Sequence, residues 1–298
     1  MKSRLVVALV AIALGAGCVP HAQVRLQPRP SAPKEHSFGN PELFLVVRDQ
    51  RVKESSGLAA SPTRNDWLYT HNDSGDSARV FRIGPDGKVS AEIALPAVSV
   101  RDCEDMASAT VGGVPHLYLG DIGDNEKRRD SVFVHRFREP GADGRVRRVE
   151  TFELVYPDGP RDAEALMVWP GSGELFLVEK THGQPSGVYL LPGTAKPGRH
   201  VLQRVGEVRV GGDLAEAQMI TGGDVALDGR HVVLRTYLGA YEFSAPDGRP
   251  DGWWRSKPTK IRTGLELQGE AIAYSRDGRW LYTSSEGSPC PIQRISIR

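Results

Sequence analysis

Short apolar runs separated by turn residues recur along this chain in a constant order. The last set is the plainest. Ala271, Ile272, Ala273 and Tyr274 form one run, Arg276-Asp-Gly-Arg279 a tight turn, and Trp280, Leu281 and Tyr282 the start of a return run. Asp and Gly accept the positive φ that such a turn requires. The same order appears four times upstream. Ser56-Gly-Leu-Ala-Ala-Ser61 is answered by Trp67-Leu-Tyr-Thr-His-Asn-Asp73. Glu104-Asp-Met-Ala-Ser108 is answered by His116-Leu-Tyr-Leu-Gly-Asp121. Glu164-Ala-Leu-Met-Val-Trp169 is answered by Glu174-Leu-Phe-Leu-Val-Glu179, and Gly223-Asp-Val-Ala-Leu227 by His231-Val-Val-Leu-Arg-Thr236.

A further strand follows in every unit: Ala78–Ile83, Ser131–Phe137, Gly187–Leu191, Gly239–Phe243 and Ile292–Ile297. Four units continue into a fourth: Val89–Leu95, Val149–Tyr156, Val201–Val210, and a strand within Trp253–Ile261. The unit starts Ser56, Glu104, Glu164, Gly223 and Glu270 recur at intervals of about 50 residues, the signature of a β-propeller. The fifth unit lacks its fourth strand, and Leu43-Phe-Leu-Val-Val47 supplies a candidate from the other end of the domain. Pairing there would close the ring and remove both free edges. The expected fold is therefore all-β, a propeller of five four-stranded blades closed by an N-terminal strand, with six blades as the alternative.

The one long apolar segment lies at the N-terminus. Met1-Lys-Ser-Arg4 followed by Leu5–Gly17 has the basic and apolar regions of an export signal and is short for a spanning helix. It ends Leu14-Gly-Ala-Gly-Cys18, which resembles the lipobox of bacterial lipoproteins, with Cys18 as the lipidated residue; cleavage near Ala22 is the alternative. Residues 1–18 are then a signal, 19–37 a Pro-rich tether stiffened by Pro20, Pro28, Pro30 and Pro33, and 38–298 the propeller. This organisation predicts an exported, periplasmic protein, lipid-anchored to the outer membrane, touching membrane only through that anchor. In such a compartment Cys103 and Cys290 are either a disulfide or two buried thiols.

Composition narrows the function. The 298 residues are 39% hydrophobic, with 33 Gly and 21 Pro, as in a turn-rich globular protein. A formal net charge of +1 gives no electrostatic case for nucleic acid. A propeller begins its inner strands at one face and returns its second strands to it, so the channel mouth collects residues from both. Glu54, Asp102, Glu104, Asp105, Asp162, Glu164, Asp224 and Glu270 stand at first-strand starts. Asn72, Asp73, Asp76, Asp121, Asp124, Asn125, Glu179 and Glu286 stand at second-strand ends. Crowded carboxylates need cations. Oxygen-only donors favour a hard one, so calcium is expected, held by members of the set Glu54, Asn72, Asp73, Glu104, Asp121, Asn125, Glu164, Asp224 and Glu270. The competing reading is that Asn, Asp and Gly here build Asx-type turns. No nucleophile elbow is present, and His71 and His182 stand near the mouth as hydrogen-bonding residues or bases.

The repeat resembles the calcium-dependent propellers that include gluconolactonase and senescence-marker-type lactonases, esterase-like phytase domains and exported propellers regulated by a quorum-sensing receptor. The residues that carry it are Glu54-Ser-Ser-Gly-Leu58, Glu104-Asp-Met-Ala107, Glu164-Ala-Leu166, Gly223-Asp-Val225 and Gly269-Glu-Ala-Ile272. The resemblance implies a metal held by Glu54, Asn125 and Asp224. The chain departs from it in blade number, six in the lactonases, and in reading Gly223-Asp-Val where they read Ser-Asp-Gly. Two functions follow: a monomeric, envelope-tethered binding or scaffolding module for an envelope protein or small polar ligand, with a cation at its mouth; or a calcium-dependent hydrolase of lactones or phosphoesters.

Overall fold

A computed structural model describes residues 35–298 except Gln184, Pro246 and Leu267. The signal segment, Cys18 and the tether up to residue 34 lie outside the described residues. The strand β1 (Glu42–Val47) comes first in the chain but belongs to the last blade. Blade one is β2 (Ser55–Ala60), β3 (Leu68–Asn72), β4 (Arg79–Ile83) and β5 (Val89–Ala94). Blade two is β6 (Cys103–Val111), β7 (Val114–Asp121), β8 (Val132–Arg138) and β9 (Val149–Val155). Blade three is β10 (Ala163–Val168), β11 (Leu175–Glu179), β12 (Ser186–Leu191) and, after the short β13 (Gly198–Val201), β14 (Gln203–Val208). Blade four is β15 (Ile220–Val225), β16 (His231–Thr236), β17 (Gly239–Ser244) and β18 (Thr259–Ile261). Blade five is β19 (Gly269–Tyr274), β20 (Trp280–Ser285) and β21 (Cys290–Ser296), completed by β1.

The fold is thus a five-bladed β-propeller. β1 pairs antiparallel with β21, setting Leu45 against Ile292 and Val47 against Cys290. The inner strands β2, β6, β10, β15 and β19 touch in that cyclic order, with β19 back against β2. The period of two along each inner strand explains why the ring packs. In β10, Leu166 and Val168 enter the core shared with blade two, while Ala165 and Met167 enter the core shared with blade four. Because both faces of an inner strand meet a neighbouring blade, β2, β10 and β19 are buried along their whole length. Outer strands face solvent on one side, and β5 alternates accordingly.

One expectation about strands needs correction, while the fourth strand of blade four falls within Trp253–Ile261 as expected. Val201 does not open the fourth strand of blade three. It ends β13, which leaves its own blade and pairs parallel with β9 as a fifth strand on blade two. Leu202, buried in the core between blades two and three, anchors that crossing and donates its N–H to Val155 O at 2.9 Å. This covers an edge that β9 would otherwise expose. Trp253–Arg255 is a 3₁₀ turn ahead of β18, and its Trp253 packs edge-on to Phe176 and Phe243.

Candidate functional site

The channel mouth is built by one backbone device used five times. Each inner strand breaks register with its partner at its first residues: between Ser55 and Leu58, Cys103 and Asp105, Ala163 and Ala165, Ile220 and Gly222, and Gly269 and Ala271. A bulge leaves one residue unpaired and re-aims its side chain. The re-aimed residues are Ser56, Glu104, Glu164, Thr221 and Glu270, all buried. In blade four the equivalent of Glu104 is therefore Thr221, and the Gly223 alignment read from the sequence is two residues out. The two hydroxyls tie blades together: Ser56 donates to Glu104 O at 3.0 Å and Thr221 to Gly269 O at 2.8 Å. The three carboxylates are left to face the opening.

Glu104 meets Asp102 and Asp73 there, and one oxygen of each lies within 4.8 Å of the others. Gly123 backs the group, where any Cβ would collide with both Glu104 and Asp102. The chemistry of crowding is visible in the acids. Burial, then the Asp73 charge, pushes Asp102 up to about 6. Burial, then Glu164, Asp73 and Asp102, pushes Glu104 well above the usual carboxylate range. Burial raises Asp73 and carries Glu270 up to about 7. One ammonium answers on the other side of the opening. Lys180 Nζ contacts Glu164 closely and donates to the Tyr237 hydroxyl at 2.9 Å. Its charge also reaches Asp73 and Glu270.

The other expected ligands do not join this group. Asn72 is spent on its own blade: its carbonyl accepts the Lys53 N–H at 2.8 Å, and its amide donates to Arg51 O at 2.8 Å and Asp76 Oδ2 at 2.6 Å. Asp121 does the same one blade on, accepting the Asp102 N–H at 2.9 Å and the buried Arg129 guanidinium at 2.8 Å. Glu54 is exposed and lines a recess of about 220 Å³ with Lys53 and Asp76. Asn125 is exposed in a different recess of about 530 Å³ with Arg161 and Lys180. Asp224 sits at the opposite end of the channel beside a recess of about 30 Å³, its oxygens accepting the N–H groups of Val225 and Tyr274 at 2.8 Å each. The three positions of the lactonase-like set thus line three separate recesses.

Below the mouth, Asp105 is fully buried and ties three blades. Its Oδ1 accepts the Met106 N–H at 2.8 Å, and its Oδ2 accepts those of Leu166 at 2.9 Å and Gly223 at 3.2 Å. His71 is buried beside it, with Nδ1 2.8 Å from Asn72 O, and burial lowers it to about 4, so it is neutral and remote from base chemistry at the opening. Inner strands of blades one and two run so close here that a Cβ at Gly57 would fall 2.6 Å from Met106 N. Exposed His182 lines the Asn125 recess.

Of the two alternatives for the cysteines, the structure has the second: Cys103 and Cys290 are free and buried. Cys103 packs in the core between blades one and two, Cys290 in that between blades five and one. Each is an apolar filler of its own layer.

No protein-family model matches the sequence, and no curated protein matches it. Among solved structures, the WD40 repeats of RRP9 align with a TM-score of 0.47 and 10% identity, over 89% of this chain and 100% of that one. The propeller assignment rests on the strand order and ring closure described above.

Asp102 and Lys180 stand at the mouth outside the ligand set expected from sequence. Asp102 stood beside Cys103 at a strand entry and was legible as an acid of the ring. Lys180 follows Glu179, and only the blade geometry turns it toward Glu164.

Proposed function

We propose that the chain is an envelope-tethered binding module whose mouth holds a divalent cation through Asp73, Asp102 and Glu104. The observation that carries this reading is the convergence of those three carboxylates, all held above their ordinary range by burial, with the Asp73 charge adding to the rise of Asp102 and Glu104. A divalent cation placed among them relieves that repulsion. Oxygen donors suit calcium, which takes six to eight at about 2.3–2.6 Å. Three carboxylates leave positions for water and for a carbonyl or carboxylate of a partner, so the cation would serve as the contact point for an envelope protein or small polar ligand. The signal-like residues 1–18 and the Pro-rich tether support export and anchoring at the outer membrane, and the single closed ring suits a monomer.

The hydrolase reading draws support from acids poised near neutrality at the same opening. Against it stands the dispersal of Glu54, Asn125 and Asp224 over three recesses. Calcium titration of the full chain by calorimetry tests the proposal. One saturable site is expected, lost in Glu104→Gln and kept in Asp224→Asn. Equal binding by Glu104→Gln and wild type would remove the mouth as the site. Turnover of a lactone or phosphoester that Glu104→Gln abolishes would favour the hydrolase.

A further inference from the structure

The chain's approach to β1 meets the flank of blade four. Residues 37–39 run beside the C-terminal residues: the N–H groups of Ser37 and Gly39 donate to Arg298 O at 3.1 Å and Ser296 O at 2.9 Å, and Arg298 N–H donates back to Ser37 O at 2.9 Å. Phe38 bridges to Ile297 and packs into the core between blades four and five. That pairing fixes His36 against blade four. His231 opens β16 and Glu242 lies on β17, where it pairs with Val233. The His36 ring stacks on His231 with centroids 3.9 Å apart and 25° between planes, and its Nδ1 lies 3.0 Å from Glu242 Oε1. One ligand atom from each of His36, His231 and Glu242 lies within 4.8 Å of the others.

Two imidazoles and a carboxylate are the donors of zinc-class ions rather than of calcium. With metal–ligand bonds of about 2.0–2.1 Å, tetrahedral geometry sets ligand atoms about 3.3 Å apart. The His36–Glu242 separation is already close to that. The outer groups are also those that metal ligands carry. Asp228 Oδ2 lies 3.3 Å from His231 Nδ1, and the Tyr274 hydroxyl donates to Glu242 Oε1 at 2.7 Å. A carboxylate on one imidazole nitrogen orients the ring to ligate through the other, and the Tyr274 hydroxyl holds the same Glu242 oxygen that faces His36, fixing where that carboxylate sits. Glu242 is buried while the His36 side chain is 20% exposed, which gives an ion a way in from solvent.

We propose that His36, His231 and Glu242 form a zinc-class divalent metal site, separate from the mouth, that pins the segment ahead of β1 to blade four. Three protein ligands leave a fourth position for water or for a donor from outside the chain. Such a site fastens the ring at the place where the two ends of the domain meet.

The test uses the full chain without a polyhistidine tag, dialysed against chelator and then titrated with Co²⁺ and Zn²⁺. With saturating calcium present to fill the mouth, one Co²⁺ per chain is expected, with the visible absorption of four-coordinate cobalt, displaced by one Zn²⁺. His36→Ala and Glu242→Gln abolish that band, Asp228→Asn weakens binding about 10–100-fold, and Glu104→Gln at the mouth leaves it unchanged. Circular dichroism checks the fold of every variant. Should Glu242→Gln fail to fold, His36→Ala decides, because His36 lies outside the named strands. No saturable binding by wild type, wild-type affinity in His36→Ala, or loss of the band in Glu104→Gln would each overturn the proposal.

Discussion

Asp105→Ala should be among the most damaging single substitutions in the ring. The side chain is fully buried and accepts three backbone N–H groups from blades two, three and four. Removing it orphans all three in a place with little room for water. An orphaned buried donor costs about 1–3 kcal/mol. With some relaxation, about 1–1.5 kcal/mol each gives a loss of about 3–5 kcal/mol, a large share of the roughly 5–15 kcal/mol that holds a domain. At about 2 °C per kcal/mol for a domain of this size, Tm falls by about 6–10 °C. Asp105→Asn is the informative control. Its carbonyl can take the place of Oδ2 and keep Leu166 and Gly223, while its amide faces the Met106 N–H, so it should cost about 1–2 kcal/mol. Urea unfolding followed by tryptophan fluorescence reads both, since Trp169 and Trp253 are buried in the core between blades three and four. An Asp105→Ala loss below about 1 kcal/mol would refute the staple. An Asn variant as weak as the Ala variant would mean that charge, and not acceptor geometry, joins the strands.

Other outcomes follow from the mouth and the ring. Asp102 and Glu270 are held above their ordinary 3.8 and 4.5, at about 6 and about 7. The folded, chelated protein thus binds more protons than the unfolded chain and loses stability as pH rises through those values. Its Tm should fall between pH 5 and 7, and saturating calcium should remove the part of the fall that Asp102 contributes; a Tm that rises over that window in chelator would contradict the repulsion. Lys180→Met leaves Glu164 buried beside no ammonium, which should cost about 3 kcal/mol while tightening calcium binding, measured by calorimetry; weaker binding would show that Lys180 holds the site together. Gly57→Ala drives a Cβ against the Met106 backbone and should lower Tm by more than Asp105→Asn does; an unchanged Tm would deny the close approach of blades one and two.

Much of this architecture was legible because period-two apolar runs and Gly- or Asp-rich turns mark hairpins directly. Leu43–Val47 was recognisable as the closing strand by elimination: a blade was one strand short and one apolar run was spare. What escaped was register. Taking Gly223 as the unit start that matches Glu270 set Asp224 among the acids of the ring, yet the bulge falls at Thr221, and Asp224 moves to the far end of the channel. Residue type cannot locate a bulge, because its position depends on which N–H groups the partner strand leaves unpaired. The same ambiguity covers Asn72 and Asp121. Their side chains are apt metal ligands by composition, but each is already occupied by the N–H groups that begin its own inner strand. Sequence left Cys103 and Cys290 open as a pair or as two buried thiols, because residue type does not show that they fill different inter-blade cores.

The central claim is that the mouth carboxylates hold a divalent cation. Elemental analysis of the full chain, purified without chelator, tests it most directly, read beside Tm with and without EDTA and repeated on Asp102→Asn and Glu104→Gln. The account predicts about one calcium per chain, a lower Tm after chelation, and loss of both the calcium and that shift in the two variants. Wild-type protein free of calcium, with a Tm indifferent to chelator and to added calcium, would contradict it and leave the acids of the mouth as parts of the ring's own hydrogen bonding.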